Sequence, residues 1–351
     1  MNVLDDIKKM KQLDPDDMYN KIIHLPEQIL KSYFESQIHS PLNFSKLKLK
    51  NIDKVIICGM GGSAISGDIA KAAFGNKLPF EVVKDYKIPF LNKNTLVIIL
   101  SYSGNTEETV SCLKQAISET KFIGAITSEG KVKEIVDENY CWLELLPGLP
   151  PRSAIGYLFF SLMKLLEIFE IIPNHSKRVK SVVTNLMKKA GAIAYDVPIE
   201  KNLAKSSAEK IKGKIPIIYS SNPQFTPLAY RWKCQINENA KYPAFHHTFP
   251  EMNHNEVEGW EVEGFESYFI PIILKRFKEE PQYQKRIDAF KKLLRNRNVE
   301  YLEFFVEGDF LVEEIFSLIY LGDMISVYLA ILQRVDPSKI KFINFLKKEI
   351  S

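Results

Sequence analysis

Cysteine is scarce: the 351 residues contain four, at positions 58, 112, 141 and 234, with no C-x-x-C pair among them. So small and scattered a set excludes a disulfide framework and suits buried free thiols in a reducing compartment. Long apolar runs are missing too, since Lys, Asp or Pro breaks every stretch before the roughly 18 residues that a membrane helix needs. A charge excess of one sign is absent, because 47 basic residues stand against 43 acidic ones for a net +4. That surplus is too small to point to nucleic acid, although a mild positive bias favours an anionic small molecule. The opening MNVLDDIKKMKQLDPDD has no apolar core behind a basic start, so an export signal is not expected and a cytoplasmic location is. Histidines nowhere fall at i, i+4 on a helix beside an acidic cluster, so no metal site is expected.

What the chain does have is 46% hydrophobic and 26% charged residues, the composition of a globular protein with two or three cores. After an amphipathic helical opening, short β-branched runs alternate with helical patterns: KVIIC, FEVVKD, TLVIILS, FIGAIT and YCWLELL, with helices over 62–75 and 107–119. This alternation predicts a parallel sheet with helices on both faces. Further helical stretches cover 153–169, 176–195 and 199–212. The pattern then restarts with KIPIIYSSN, YPAFHHTF, SYFIPIIL and VEYLEFFV, and ends in a long apolar helix over 310–333. Two α/β units of similar plan are therefore expected, the second without a glycine cluster after its first strand.

Chemistry concentrates at two strand-to-helix junctions of the first unit. The first, CGMGGSAISGD (58–68), satisfies the dinucleotide pattern G-x-G-x-x-A, and Asp85 lies near where a ribose-binding carboxylate would be needed. Glycine-rich turns aim backbone N–H groups, here of Gly61 and Gly62, at one place, and the helix N-terminus adds partial positive charge, so any anion suits them. The second junction, SYSGNTEET (101–109), decides between ligands. Ser63, Ser101, Ser103 and Thr106 supply hydroxyl donors around one compact phosphoryl group, which a turn stretched along a pyrophosphate would not need. Thr106 alone would also serve as an ordinary helix cap.

GMGGSAISGD followed by SYSGNTEET resembles the sugar-isomerase (SIS) domain, and from Lys54 to the C-terminus the chain resembles the bifunctional phosphoglucose/phosphomannose isomerase family. The resemblance implies an α/β fold of two SIS-type subdomains, flavodoxin-like parallel-sheet αβα sandwiches, behind an N-terminal helical segment. The expected division is 1–45 helical segment, 46–153 first subdomain, 154–213 connecting helices, 214–335 second subdomain and 336–351 helical tail. It also implies interconversion of glucose 6-phosphate and mannose 6-phosphate with fructose 6-phosphate through ring opening and a cis-enediolate, in a homodimer with shared active sites and without cofactor or metal.

Such chemistry needs a base for the proton alpha to a carbonyl, a stabiliser of the enediolate and a group that opens the ring. By resemblance, Glu238 in WKCQINENAK is the base, and Arg152 in PPRSA stabilises the charge. His254 in EMNHNE, contributed across the dimer, and Lys347 in the tail open the ring. Lys341 and Lys348 lie on the same short helix and compete with Lys347 for that role. The adjacent His246 and His247, in an expected strand, read as packing residues. Three other functions stay open at this level: a non-catalytic sugar-phosphate sensor, although the first 45 residues lack a basic helix-turn-helix pattern, an isomerase of another sugar phosphate, and an NAD-dependent oxidoreductase resting on the opening loop and Asp85.

Overall fold

In the computed structural model, which describes residues 2–261 and 263–350, the chain divides into two units. One is His24–Thr184; the other joins the described residues up to Ile23 with those from Asn185 onward. The second unit opens the chain with α1 (Ile7–Leu13) and α2 (Met18–Ile23). The Asp14 carboxylate accepts the Met18 and Tyr19 N–H groups, both at 2.8 Å, which fixes where α2 starts.

The first unit contains α3 (Leu25–Leu30), β1 (Ile38–His39), β2 (Lys54–Cys58), α4 (Gly61–Phe74), β3 (Phe80–Val83) and β4 (Thr95–Leu100). It continues with α5 (Glu107–Glu119), β5 (Ile123–Thr127), α6 (Gly130–Val136), β6 (Cys141–Glu144) and α7 (Ile155–Ile168), while α8 (Ser176–Ala192) runs across the division. Its sheet has the order β1-β6-β5-β4-β2-β3, parallel except for β1. Every residue of β4 is buried, as a central strand covered on both faces requires. On one face Val110, Cys112, Leu113 and Ala116 of α5 join Val132 and Val136 of α6 over Ile56, Val97 and Ile99. The other face takes α4 and α7: Gly67 lies against Ile57 and Val82, and Gly124 of β5 against Leu165 and Phe169. The two residues of β1 fall in the segment expected to be helical. They cover the edge of β6, where the His39 ring stacks on Trp142 at 4.1 Å, and so remove an open sheet edge.

The second unit follows with α9 (Leu203–Ile211), β7 (Ile215–Ser220), α10 (Thr226–Ala240), β8 (Phe245–Thr248), β9 (Phe269–Leu274), α11 (Pro281–Asn296), β10 (Leu302–Phe304), α12 (Leu311–Leu332) and α13 (Lys341–Ile350). Its four parallel strands have the order β10-β9-β7-β8. Tyr219, Phe249, Ile273, Ile287 and Phe290 form one core. Elsewhere Trp232 of α10 donates to the Leu318 carbonyl of α12 at 2.9 Å, and a Cβ on Gly322 would stand 2.3 Å from its indole. With a mean hydropathy of 2.0 over 18 residues, α12 is long and apolar enough to cross a bilayer, yet 94% of that stretch is buried inside the protein. Its composition is that of a core helix, apolar all round. Of the charges it carries, Asp323 is paired with the buried Arg231 of α10 at 2.5 Å and Glu314 with Arg276 at 2.8 Å.

The four cysteines are unpaired, and three of them, Cys58, Cys112 and Cys141, are buried.

Candidate active site

In the first unit β2 and β4 lie side by side, with β3 beyond β2 and β5 beyond β4, so the chain leaves them in opposite directions. Such a switch point opens a crevice at the carboxyl ends of the strands. The two loops singled out in the sequence follow these two strands. Gly59 is required where β2 ends, because a Cβ there would stand 2.9 Å from the Leu100 carbonyl oxygen at the end of β4. Gly61 takes φ +52° and opens α4. A residue without a side-chain acceptor, Met60, stands at the α4 N-cap, and Thr106, the N-cap of α5, makes no capping bond. The Thr106 hydroxyl instead pairs with Ser101 Oγ at 3.4 Å. Two helix N-termini, uncapped by their own side chains, therefore flank one crevice.

The second loop is braced from behind. Gly104 adopts φ +67° and its α-carbon lies so near Glu129 that a Cβ would be 1.6 Å from the carbonyl oxygen. Its N–H donates to the Ser101 carbonyl at 3.2 Å, and Ser103 Oγ accepts the Asn105 N–H at 3.4 Å. Ser63 and Ser101 are buried, and Ser103 is exposed. Arg152 sits on a single 3-10 turn, Pro151–Ser153, and is 7% exposed. Gly62 meets this turn at Pro151, so the arginine lies beside the first phosphate-type loop. Sequence reasoning did not single out Tyr102, which is buried inside SYSGNTEET and donates its hydroxyl to the Leu146 carbonyl at 2.6 Å.

In the second unit the loops after β7 and β9 are tied to each other by side chains. Asn222 accepts the Gln224 N–H at 2.9 Å and donates to the Glu279 carboxylate at 2.9 Å, while Arg276 pairs with the buried Glu314 at 2.8 Å. A tethered carboxylate there leaves no use for phosphate hydroxyls, in keeping with a sequence that has no glycine cluster after β7.

Glu238 stands half-buried in the last turn of α10. The helix is fixed by the Arg231–Asp323 pair and by Asn239 Nδ2 donating to Ser326 Oγ at 2.9 Å. Lys241, at φ +55°, ends it in the left-handed region, and its ammonium donates to the carbonyls of Glu238, Asn239 and Pro337 at 2.6, 3.3 and 3.2 Å. A positive charge at a helix C-terminus is favourable there. Glu238 lines a cavity of about 720 Å³ together with Arg334, Asp336, Lys339 and Lys341. Lys347 is not among the lining residues; it lies farther along α13, exposed. His254 ends the 3-10 segment Glu251–His254, is exposed, and lies outside that lining. The neighbouring Glu256 is held by the Tyr219 hydroxyl at 2.6 Å. Burial lowers the pKa of His246, whose ring lies 5.3 Å from that of Tyr230, as befits a packed imidazole. Among the described residues no group of three or more His, Cys, Asp or Glu is arranged to hold a metal ion.

Comparison with known proteins shows the family of the chain. The SIS domain family matches residues 48–147, and the bacterial phospho-glucose isomerase C-terminal SIS domain matches residues 200–350. A bifunctional phosphoglucose/phosphomannose isomerase from Caldicellulosiruptor bescii is 37% identical, covering 95% of this chain and 99% of its own. A protein of the same name from Aquifex aeolicus is 34% identical over 84% of this chain and 90% of its own. A crystal structure of a hypothetical protein from Thermus thermophilus has the same fold, with a TM-score of 0.76 at 14% identity, over 98% of this chain and 93% of that one. With relatives matched over nearly their whole length and named as isomerases, the sensor alternative is not favoured. The two SIS domains in series and the end-to-end relationship show that this chain belongs to the bifunctional phosphoglucose/phosphomannose isomerase family.

Proposed function

We propose that this chain is an aldose–ketose isomerase that interconverts glucose 6-phosphate and mannose 6-phosphate with fructose 6-phosphate. The observation that carries the reading is the cradle of the first unit: two helix N-termini and the hydroxyls of Ser63, Ser101, Ser103 and Thr106 at one switch point. With the Gly61 and Gly62 amides they take the phosphate, which holds the sugar by the end that does not react. Glu238 removes the C2 proton of the open-chain aldose and returns a proton to C1, while the O2 hydroxyl proton passes to O1, so the C1 aldehyde becomes an alcohol and C2 a ketone. Arg152 stabilises the enediolate between, with a guanidinium that stays protonated throughout. Because C2 loses its configuration in that intermediate, glucose and mannose epimers converge on one species, and one site serves both.

His254 and a lysine of the tail open the ring. The cavity beside Glu238 favours Lys341 for the lysine, where the sequence resemblance pointed to Lys347. A homodimer is supported by His254, exposed and outside that lining, and by Phe342, Phe345 and Leu346, which α13 presents at its surface. Free thiols support a cytoplasmic location.

The test is to incubate pure protein with mannose 6-phosphate and no added cofactor. Fructose 6-phosphate is the expected product, and its absence with both aldose phosphates overturns the reading.

A further inference from the structure

The phosphate loop and the arginine loop are distant in sequence, and one phenol joins them. Tyr102 is the second residue of SYSGNTEET and is 7% exposed. Its hydroxyl donates to the Leu146 carbonyl at 2.6 Å, 44 residues on, and accepts the Leu149 N–H at 3.1 Å, 47 residues on. Leu149 directly precedes Pro150-Pro151-Arg152. On the other side, the Tyr102 backbone carbonyl accepts both the Ser128 N–H at 3.1 Å and the Ser128 hydroxyl at 2.6 Å. The residue, itself part of the loop that binds anion, is thus fixed at its backbone by Ser128 in the loop after β5 and at its tip by the loop that carries Arg152. The ring alone would fill the same space; only the oxygen both gives and takes a hydrogen bond across the gap.

We propose that Tyr102 is a positioning residue that sets Arg152 against the phosphate cradle, so that the charge of the guanidinium falls where the enediolate forms. This rests on the roles given above to Arg152 and the two loops. Tyr102 itself does not transfer a proton. Burial pushes its phenol further above the ordinary tyrosine range, so it remains protonated and the donor to Leu146 is permanent. Preorganised charge acts only if it stays in place, and a displacement on the order of 1 Å at such a group can cost up to about a hundredfold in rate.

The experiment is a double-mutant cycle of Tyr102→Phe and Arg152→Lys in the full chain, read well below each variant's melting temperature, with inorganic phosphate as a competitive probe of the cradle. Tyr102→Phe is expected to lower kcat by about tenfold while the inhibition constant of inorganic phosphate changes less than about twofold. In the Arg152→Lys background the same substitution has almost no further effect. Replacing Tyr102 with 4-aminophenylalanine, which restores a donor at the same place, recovers part of kcat. Multiplying effects of the two substitutions, weakened phosphate inhibition in step with kcat, or unchanged kcat in Tyr102→Phe each overturn the proposal. A wild-type protein that fails to isomerise either aldose phosphate overturns the functional reading instead, so the two failures are told apart.

Discussion

Gly62 lies so close to Pro151 that a Cβ built on its α-carbon would stand 3.0 Å from the proline's carbonyl oxygen. The first helical turn of α4 and the turn that carries Arg152 are thereby in backbone contact, and glycine is what permits it. A methyl group at this position must push the arginine turn away by a few tenths of an ångström. Gly62→Ala is expected to lower kcat/KM by about tenfold with little change in melting temperature. Unchanged kinetics would mean that the contact does not set the arginine's position.

The hydroxyl pair Ser101–Thr106 gives a second expectation. If Thr106 served mainly to cap α5, Thr106→Val would cost stability of about 1 kcal/mol and leave substrate binding alone. Its side chain makes no capping bond, and its hydroxyl faces Ser101 instead. Ser101→Ala and Thr106→Val should therefore raise KM, and the inhibition constant of inorganic phosphate, by about tenfold or more, the worth of one hydrogen bond to a charged group. Kinetic assays with phosphate as inhibitor check this, and denaturant unfolding separates it from loss of stability.

Much of this was legible in the sequence, and the parts that were not share a cause. Val55-Ile56-Ile57 and Leu96-Val97-Ile98-Ile99 read as buried parallel strands because both faces of the sheet are covered, and the loops after them announced their hydroxyls. Strand order could not be read, yet it is what brings those two loops to one crevice. Tyr102 went unnoticed because its partners are 44 and 47 residues away, and a tyrosine in a serine-rich loop has no local signature. On α13 the sequence resemblance pointed to Lys347, and the course of the chain past Pro337, held by Lys241, puts Lys341 instead in the cavity with Glu238. The tie between the loops after β7 and β9 depends likewise on a side chain, Glu279, 57 residues from its partner Asn222.

The histidines divide by environment. Burial holds the His246 pKa below its ordinary value, so the unfolded chain binds the proton more readily than the folded one. Stability from this residue is therefore present above its unfolded pKa, about 6.5, and is lost as pH falls from there through the lower folded value. Comparing denaturant unfolding at neutral and mildly acidic pH should show that His246→Gln loses less stability on acidification than the wild type, while its turnover at neutral pH stays near normal. His254→Gln is expected to lose turnover on the ring-closed sugar at neutral pH. A His246→Gln variant without activity would assign the chemistry to the wrong histidine.

One base acting on one enediolate is the claim on which everything else depends, and Glu238→Gln tests it most directly. Turnover of glucose 6-phosphate and of mannose 6-phosphate to fructose 6-phosphate is measured for the wild type and for this variant, with melting temperature recorded for both. The account predicts that both activities fall by the same factor, between about a hundredfold and ten-thousandfold, in a protein that remains folded. Near-normal turnover of either epimer by the variant would contradict it.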